Sequence, residues 1–188
     1  MIRSKNIWNG LFGLIFIASA CSPSSQQEAN TNTPEISSPM DAAVGHPFPV
    51  YSSFDQVASI FQQQSDTTYV INFWATWCKP CVKELPYFEA LHTDFKGEKL
   101  KVILVSLDFQ KDIEPKLIPF IKANKLQSNI IALTDHKYNE WIDKVDPEWG
   151  GAIPVTVIYK GEHRQFIGES FANQQELTNL VKNMLAKS

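Results

Sequence analysis

The chain has 188 residues, of which 44% are hydrophobic and 20% are charged, a composition typical of a globular protein and not of a disordered one. The formal net charge is -3 and there is no long basic run, so the composition argues against a nucleic-acid-binding protein. Three cysteines are too few for a disulfide-stapled mini-protein or for a four-cysteine zinc site. We therefore expect one domain with additional segments, in which the positions of the few cysteines are informative about function.

Residues 1–20 are typical of an export signal. Two basic residues precede a short apolar run at 11–17, which is too short to span a bilayer comfortably, and the small residues Ala18–Ala20 suit a cleavage site. Cys21 follows at once. This arrangement resembles a bacterial lipoprotein signal, in which the cysteine after the cleavage site is lipidated, although Ala18 stands where Leu is usual. The alternative is an ordinary secretory signal with an incidental Cys21.

Residues 21–45 are predicted to form a flexible tether. Ser, Pro, Gln, Asn and Thr dominate the segment, and its few apolar residues follow no pattern, so it cannot bury enough surface to offset the entropy of ordering. A tether that starts at a lipidated Cys21 would hold a domain at 46–188 against a bacterial membrane, on its periplasmic side. Ser22 stands where an Asp would mark retention at the inner membrane in some bacteria, which favours the outer membrane.

The remainder of the chain alternates strands with helices. Apolar residues recur at helical spacing in five segments, which are 54–64, 80–95, 112–124, 136–144 and 177–185. Apolar, β-rich runs predict strands at 69–74, 100–107, 129–133, 155–159 and 164–167, with a turn at 160–162 between the last two. Pro86 should kink the second helix. This order predicts an α/β domain in which helices cover both faces of a mixed sheet.

The segment Trp77-Cys78-Lys79-Pro80-Cys81 follows a predicted buried strand and opens a helix. Unpaired N–H groups and the positive dipole end at a helix start stabilise a thiolate, which lowers the pKa of Cys78 below that of a free thiol. Lys79 adds a nearby positive charge, and Pro80 suits the first turn. Cys81 lies one turn along, within reach of the Cys78 sulfur. The pattern predicts a redox-active Cys78–Cys81 pair, in which Cys78 attacks a disulfide and Cys81 resolves the mixed disulfide.

Other interpretations of the two cysteines are weaker. A structural disulfide that closes such a small loop restrains little of the unfolded chain. Incidental buried cysteines do not fit the strand-turn-helix context. A zinc site needs two more ligands, but the histidines are scattered at His46, His92, His136 and His163. We therefore expect neither a metal nor a cofactor.

The segment from Phe73 to Cys81 resembles the active-site segment of the thioredoxin superfamily. The continuation from Cys81 to Pro86 is similar, more narrowly, to the TlpA/ResA-type disulfide reductases, which are extracytoplasmic and often membrane-anchored. The resemblance covers about residues 44–188 and implies a thioredoxin-like three-layer fold. The segment Gly150–Thr156 resembles the second landmark of the family, a loop that faces the dithiol and in which the Ile153–Pro154 bond would be cis. The alternative for Pro154 is a trans proline that opens an edge strand.

The resemblance also implies a proton acceptor. Thioredoxins carry a buried Asp where this chain has Asn72, which cannot titrate. The TlpA/ResA-type proteins instead have a Glu three residues after the second cysteine, and here that residue is Glu84. Helical spacing places Glu84 on the same face as Cys81, where a partly buried carboxyl would have a raised pKa and could take the Cys81 proton. The alternative is a solvated helix Glu.

The residues expected to contact the substrate are Trp77, Lys79, Pro80 and Ile153.

These residues together imply a lipid-anchored, monomeric thiol-disulfide oxidoreductase outside the cytoplasm. Its substrates would be disulfides of exported proteins, with apocytochrome c as a candidate, and a membrane thiol donor would supply the electrons. Lys79-Pro80 does not fix the direction of exchange, so a thiol oxidase or disulfide isomerase stays open. A Cu(I)-binding metallochaperone is a further alternative, although no methionine cluster supports it. A thiol peroxidase would need an activating Thr/Arg setting around one cysteine, which the sequence lacks.

Overall fold

A computed structural model describes residues 45–187 of the chain. The expected signal at 1–20, the expected lipidation site Cys21 and the tether up to residue 44 lie outside this range. Within it, no helix combines the length and the apolar character that a membrane crossing requires.

A mixed six-stranded sheet forms the centre of the domain that residues 45–187 build. Its strands are β1 (Val50–Tyr51), β2 (Thr68–Trp74), β3 (Leu100–Ser106), β4 (Asn129–Leu133), β5 (Val155–Lys160) and β6 (His163–Ile167), in the order β1-β4-β3-β2-β5-β6. The first four are parallel, whereas β5 is antiparallel to β2 and β6 is antiparallel to β5. The carboxyl ends of β2, β3 and β4 therefore lie at the same edge of the sheet as the amino end of β5.

In the described part of the chain, four α-helices cover the sheet: α1 (Lys79–Asp94), α2 (Ile118–Asn124), α3 (Tyr138–Val145) and α4 (Gln174–Leu185). The positions of α1, α3 and α4 confirm the sequence pattern to within two or three residues. Pro86 lies inside α1, and the helix continues past it to Asp94.

The two faces of the sheet carry separate apolar cores, because successive side chains of a strand point to opposite faces. On one face, Val70 and Trp74 of β2 pack in a cluster that includes residues of α1 and α4. On the other face, Ile71 and Phe73 pack in a cluster that includes Trp141 of α3. Every residue of β2 is buried, which confirms the strand that its continuous apolar run predicts. The three-layer arrangement of helices, sheet and helices is as expected.

The predicted helix at 54–64 is wrong in type. The structure has two short 3₁₀ helices, Phe54–Gln56 and Ala58–Phe61, joined at Val57. The apolar spacing marks the buried side correctly, since Phe54, Val57 and Phe61 are all buried. The Phe54 N–H, which has no partner within the helix, donates to the Asp135 carboxylate at 2.9 Å and joins this turn to a distant part of the chain.

The predicted helix at 112–124 is only partly regular. A 3₁₀ turn at Gln110–Asp112 leads into a π-helical stretch at Ile113–Leu117, and only then does α2 begin. Pro115 lies in the π-helical stretch and Pro119 in the first turn of α2. A proline has no N–H and clashes with the carbonyl one turn back, so two of them prevent a continuous α-helix. The short edge strand β1 was not predicted.

Candidate active site

The two cysteines lie where the central strand passes into α1. After β2 ends at Trp74, the Cys78 N–H donates to the Ala75 carbonyl at 3.1 Å and closes a turn. Cys78 then caps the helix, and its sulfur accepts a hydrogen bond from the Cys81 N–H at 3.3 Å. Pro80 occupies the first turn, where no N–H is needed. The sequence therefore places the Cys78 sulfur at the positive end of the α1 dipole.

Cys78 and Cys81 form a disulfide, with 5.3 Å between their Cα atoms. The two sulfurs differ in access: Cys78 is 6% exposed, whereas Cys81 is completely buried. Trp77, Lys79 and Pro80 are exposed around the outer cysteine, and Trp77 has 55% of its surface exposed. Of the two sulfurs, only that of Cys78 can therefore react with a molecule outside the domain.

The Pro154 loop faces this pair. The Ile153–Pro154 bond is cis, as the resemblance implied. The Cys78 sulfur lies 3.7 Å from the Ile153 carbonyl oxygen. The Trp149 indole N–H donates to the Ala152 carbonyl at 2.7 Å, and this hydrogen bond helps to fix the loop. Within residues 45–187, the Ile153 N–H makes no backbone hydrogen bond. A polar backbone edge therefore lies beside the accessible sulfur.

Glu84 is a buried carboxyl on the inner side of α1. It is 1% exposed, so the alternative of a solvated helix residue is wrong. Its Oε2 accepts a hydrogen bond from the Phe171 N–H at 2.9 Å, and its Oε1 accepts one from the Asn72 amide at 3.1 Å. Burial raises the pKa of Glu84 from 4.5 to about 7, although these two hydrogen bonds lower it. The carboxyl can therefore gain or lose a proton near neutral pH.

The sequence did not identify the partners of Glu84. The Asn72 Nδ2 also lies 3.0 Å from the Thr156 Oγ1 and 3.4 Å from the Val155 carbonyl oxygen. Asn72 and Thr156 face each other across β2 and β5, and both are buried. The one available signal was a polar residue in an otherwise apolar strand, at Asn72.

A second buried carboxylate, Asp108, holds the segment that leads to Cys78. It is completely buried and accepts hydrogen bonds from the Thr76 N–H at 3.0 Å, from the Thr76 hydroxyl, and from the Ser106 hydroxyl at 2.8 Å. Thr76 follows β2 and Asp108 follows β3, so these hydrogen bonds join the ends of two neighbouring strands. Neither residue was predicted to have a role.

The residues described, 45–187, contain no group of three or more His, Cys, Asp or Glu side chains arranged to hold a metal ion. The site combines the Cys78–Cys81 disulfide, the buried carboxyl of Glu84 three residues further along α1, and the backbone of Ile153 beside the Cys78 sulfur.

A family model described as the AhpC/TSA family matches residues 44–164. The thiol-disulfide oxidoreductase ResA of Bacillus anthracis is 44% identical over 113 residues, which covers 56% of this chain and 58% of ResA. The sporulation thiol-disulfide oxidoreductase A of Bacillus subtilis (strain 168) is 36% identical over 62 residues, which covers 33% of this chain and 38% of that protein. The matches thus span less than two thirds of the length of these curated relatives.

Solved structures give the same fold. A thioredoxin-related protein of Neisseria meningitidis serogroup B matches with a TM-score of 0.53 and 25% identity, over 66% of this chain and 89% of that one. A thiol:disulfide interchange protein of Chlorobium tepidum TLS matches with a TM-score of 0.55 and 19% identity, over 69% of this chain and 85% of that one. The predicted thioredoxin-like fold is confirmed, as is the likeness to ResA-type proteins.

Proposed function

The chain belongs to the AhpC/TSA family, and from this premise we propose that it is a thiol-disulfide oxidoreductase that works through Cys78 and Cys81. One observation carries the proposal: the Cys78–Cys81 pair closes across the first turn of α1, with Cys78 as the helix cap. A thiolate at that position is stabilised by the helix dipole and by the Cys81 N–H. The named activity of the ResA and sporulation relatives is in accord with it.

The exchange proceeds in two steps. In the reducing direction, the Cys78 thiolate attacks one sulfur of a client disulfide, the client S–S bond breaks, and one client thiolate leaves. Cys81, once deprotonated, attacks the Cys78 sulfur, the mixed disulfide breaks, and the second client thiolate leaves. Two electrons pass from the dithiol to the client, whose sulfurs take up two protons. A thiol donor then reduces the Cys78–Cys81 disulfide by the same exchange.

Glu84 is the proposed proton acceptor for Cys81. It lies three residues further along the same helix, and its pKa of about 7 allows it to be ionised in a large fraction of molecules at neutral pH. Ile153 and Pro154 are proposed to receive an extended client segment on their backbone edge. The exposed Trp77, Lys79 and Pro80 would contact the same client from the side of the dithiol.

The proposed clients are disulfides of exported proteins, with apocytochrome c as a candidate. This part of the proposal rests on the sequence of the N-terminal segment, which favours export and lipidation at Cys21. The domain would then work as a monomer outside the cytoplasm, anchored to a bacterial membrane, with the outer membrane favoured, and a membrane thiol would act as its electron donor. Mass spectrometry of the mature N-terminus tests the anchor: we expect a diacylglyceryl group on Cys21, and an unmodified terminus would contradict it.

Turnover of insulin disulfides tests the oxidoreductase activity. With a dithiol as the electron source, wild-type protein should accelerate insulin reduction, and Cys78→Ser should abolish the acceleration. A metallochaperone would instead retain Cu(I) in a fixed ratio to protein without accelerating insulin reduction. Equilibration of the Cys78–Cys81 pair with glutathione buffers then gives the direction. We expect a potential nearer to about -270 mV, where thioredoxin lies, than to the oxidase value of about -120 mV.

A further inference from the structure

Three polar side chains form a buried group in the core between the sheet and α1. Asn72 of β2, Glu84 of α1 and Thr156 of β5 are each no more than 1% exposed. The neighbouring residues of β2 that enter the same core, Val70 and Trp74, are apolar. Buried polar groups cost stability unless they are hydrogen-bonded, and three of them in one place need a reason beyond packing.

Asn72 is the donor that connects the group. Its Nδ2 lies 3.1 Å from Glu84 Oε1 on one side. On the other side lie two acceptors of β5, the Thr156 Oγ1 at 3.0 Å and the Val155 carbonyl oxygen at 3.4 Å. The amide has two N–H groups, so one can serve Glu84 while the other holds Asn72 against the strand that follows Pro154.

A neutral amide has a specific electrostatic effect at this position. Its N–H favours the ionised form of the carboxylate, but it neither adds a charge, as Lys would, nor takes up the proton, as Asp would. The Phe171 N–H does the same at the second oxygen of Glu84. Among the described residues, these two neutral groups are the hydrogen-bond donors to Glu84. Cys81 is the titratable group on the same face of α1, and Lys83 is exposed.

We propose that Asn72 is a positioning residue for the proton acceptor: its amide holds Oε1 of Glu84 and thereby sets the pH at which Glu84 can take the proton of Cys81. This inference rests on the proposed function, since it concerns the step in which Cys81 resolves the mixed disulfide. Burial alone favours the neutral carboxyl, and the Asn72 N–H opposes that tendency without introducing a second charge.

The resolving step can be followed with dithiobis-nitrobenzoate. The reduced protein releases one thionitrobenzoate when Cys78 attacks the reagent, and a second when Cys81 attacks the Cys78 sulfur and forms the protein disulfide. The rate of the second release, measured against pH, rises as Glu84 ionises. Its midpoint in the wild-type protein is the reference, and Glu84→Gln defines the profile without the acceptor.

Two substitutions at Asn72 should move this midpoint upward. Asn72→Leu keeps the size of the side chain but removes the N–H, so the midpoint should rise by about one pH unit, with the rate restored at higher pH. Asn72→Asp places a second carboxyl beside Glu84, and because like charges oppose ionisation, the midpoint should rise further. Recovery at high pH distinguishes a changed proton equilibrium from a damaged fold, which would slow the step at every pH.

Thr156→Val is the matched control. It removes a buried hydroxyl from the same group but leaves the Asn72 N–H on Glu84, and the Val155 carbonyl is available to the second N–H. Its midpoint should equal that of the wild type. A wild-type midpoint in either folded Asn72 variant would overturn the inference. If Glu84→Gln keeps the wild-type profile, both the acceptor role and this inference fail, whereas the activity of the dithiol is judged separately by insulin turnover.

The unsubstituted protein gives a test that needs no variant. In isotope-labelled wild-type protein, the side-chain amide signals of Asn72 should titrate in NMR spectra with the midpoint of the Glu84 carboxyl. Amide signals of Asn72 that stay constant while Glu84 titrates would contradict a hydrogen bond that depends on the ionised carboxylate.

Discussion

The sulfur of Cys78 lies 3.7 Å from the carbonyl oxygen of Ile153, although the two residues are 75 positions apart in the chain. The contact follows from the sheet: β2 and β5 are antiparallel, so the segment that leaves β2 and the segment that enters β5 lie at the same edge. A client segment bound along the backbone of Ile153 would thus lie beside the one partly accessible sulfur of the pair.

The reduced protein should show unequal thiols. Cys78 caps α1 and is 6% exposed, whereas Cys81 is completely buried. A thiolate at a helix start is stabilised and accessible, so Cys78 should be alkylated by iodoacetamide about tenfold faster than Cys81 or more. Mass spectrometry of the labelled peptides gives both rates. Faster labelling of Cys81 would reverse the proposed roles.

Loss of the Glu84 carboxyl should slow resolution and spare attack. Glu84→Gln retains the size of the side chain but cannot accept a proton, so the second release of thionitrobenzoate should slow on the order of 10²-fold near neutral pH, while the first is unchanged. Glu98→Gln, which removes an exposed carboxyl just beyond α1, is the control and should behave like the wild type. If the second release of thionitrobenzoate were equally fast in the two variants, the proton transfer would have to be assigned to another group.

Glu84 should also make stability depend on pH. Burial raises the pKa of Glu84 to about 7 in the folded protein, from an ordinary value of 4.5. Between these values the folded protein holds a proton that the unfolded chain has lost, so the free energy of unfolding falls as the pH rises through this window, by up to about 3 kcal/mol.

Urea unfolding of the oxidised protein at about pH 5 and about pH 8 measures this effect. The decrease in the free energy of unfolding between the two should be smaller in Glu84→Gln, which has no group to titrate at this position. Equal decreases in the two proteins would mean that the carboxyl is not buried in solution as it is in the structure.

The buried hydrogen bonds of Asp108 should contribute substantially to the stability of the fold. Asp108→Ala leaves the Thr76 N–H and hydroxyl and the Ser106 hydroxyl without their acceptor, which should cost about 2–4 kcal/mol. Asp66→Ala is the control, because its ion pair with Lys99 is exposed, and its urea midpoint should stay close to that of the wild type. Similar midpoints in the two variants would contradict a structural role for Asp108.

The unit of β2 and α1 could be predicted because its signals are local. A continuous apolar run defines β2, and helical spacing from Cys78 through Cys81 to Glu84 defines the reactive face of α1. The same spacing places Glu84 on the face of Cys81, but its burial is a finding of the structure, since a solvated helix Glu stayed open from the sequence. The helix at 54–64 failed because apolar spacing identifies the buried side but not whether the backbone closes 3₁₀ or α turns.

The hydrogen bonds around the site could not be predicted, because they join distant parts of the chain. Asn72 and Thr156 are 84 positions apart, and Thr76 and Asp108 are 32 apart. A single Thr in an apolar strand looks ordinary in a sequence, since its hydroxyl gains a role only when the register places it opposite Asn72. Such pairs depend on strand order, which no local pattern specifies.

Capture of a client on one cysteine tests the central claim most directly. Reduced Cys81→Ser and reduced Cys78→Ser are each incubated with a disulfide-containing protein, and the cross-linked products are quantified by mass spectrometry after free thiols are blocked. The account predicts a mixed disulfide between the client and Cys78 in the Cys81→Ser protein, and little or none in the Cys78→Ser protein. Capture at Cys81, or no capture by either protein, would contradict a Cys78-initiated exchange.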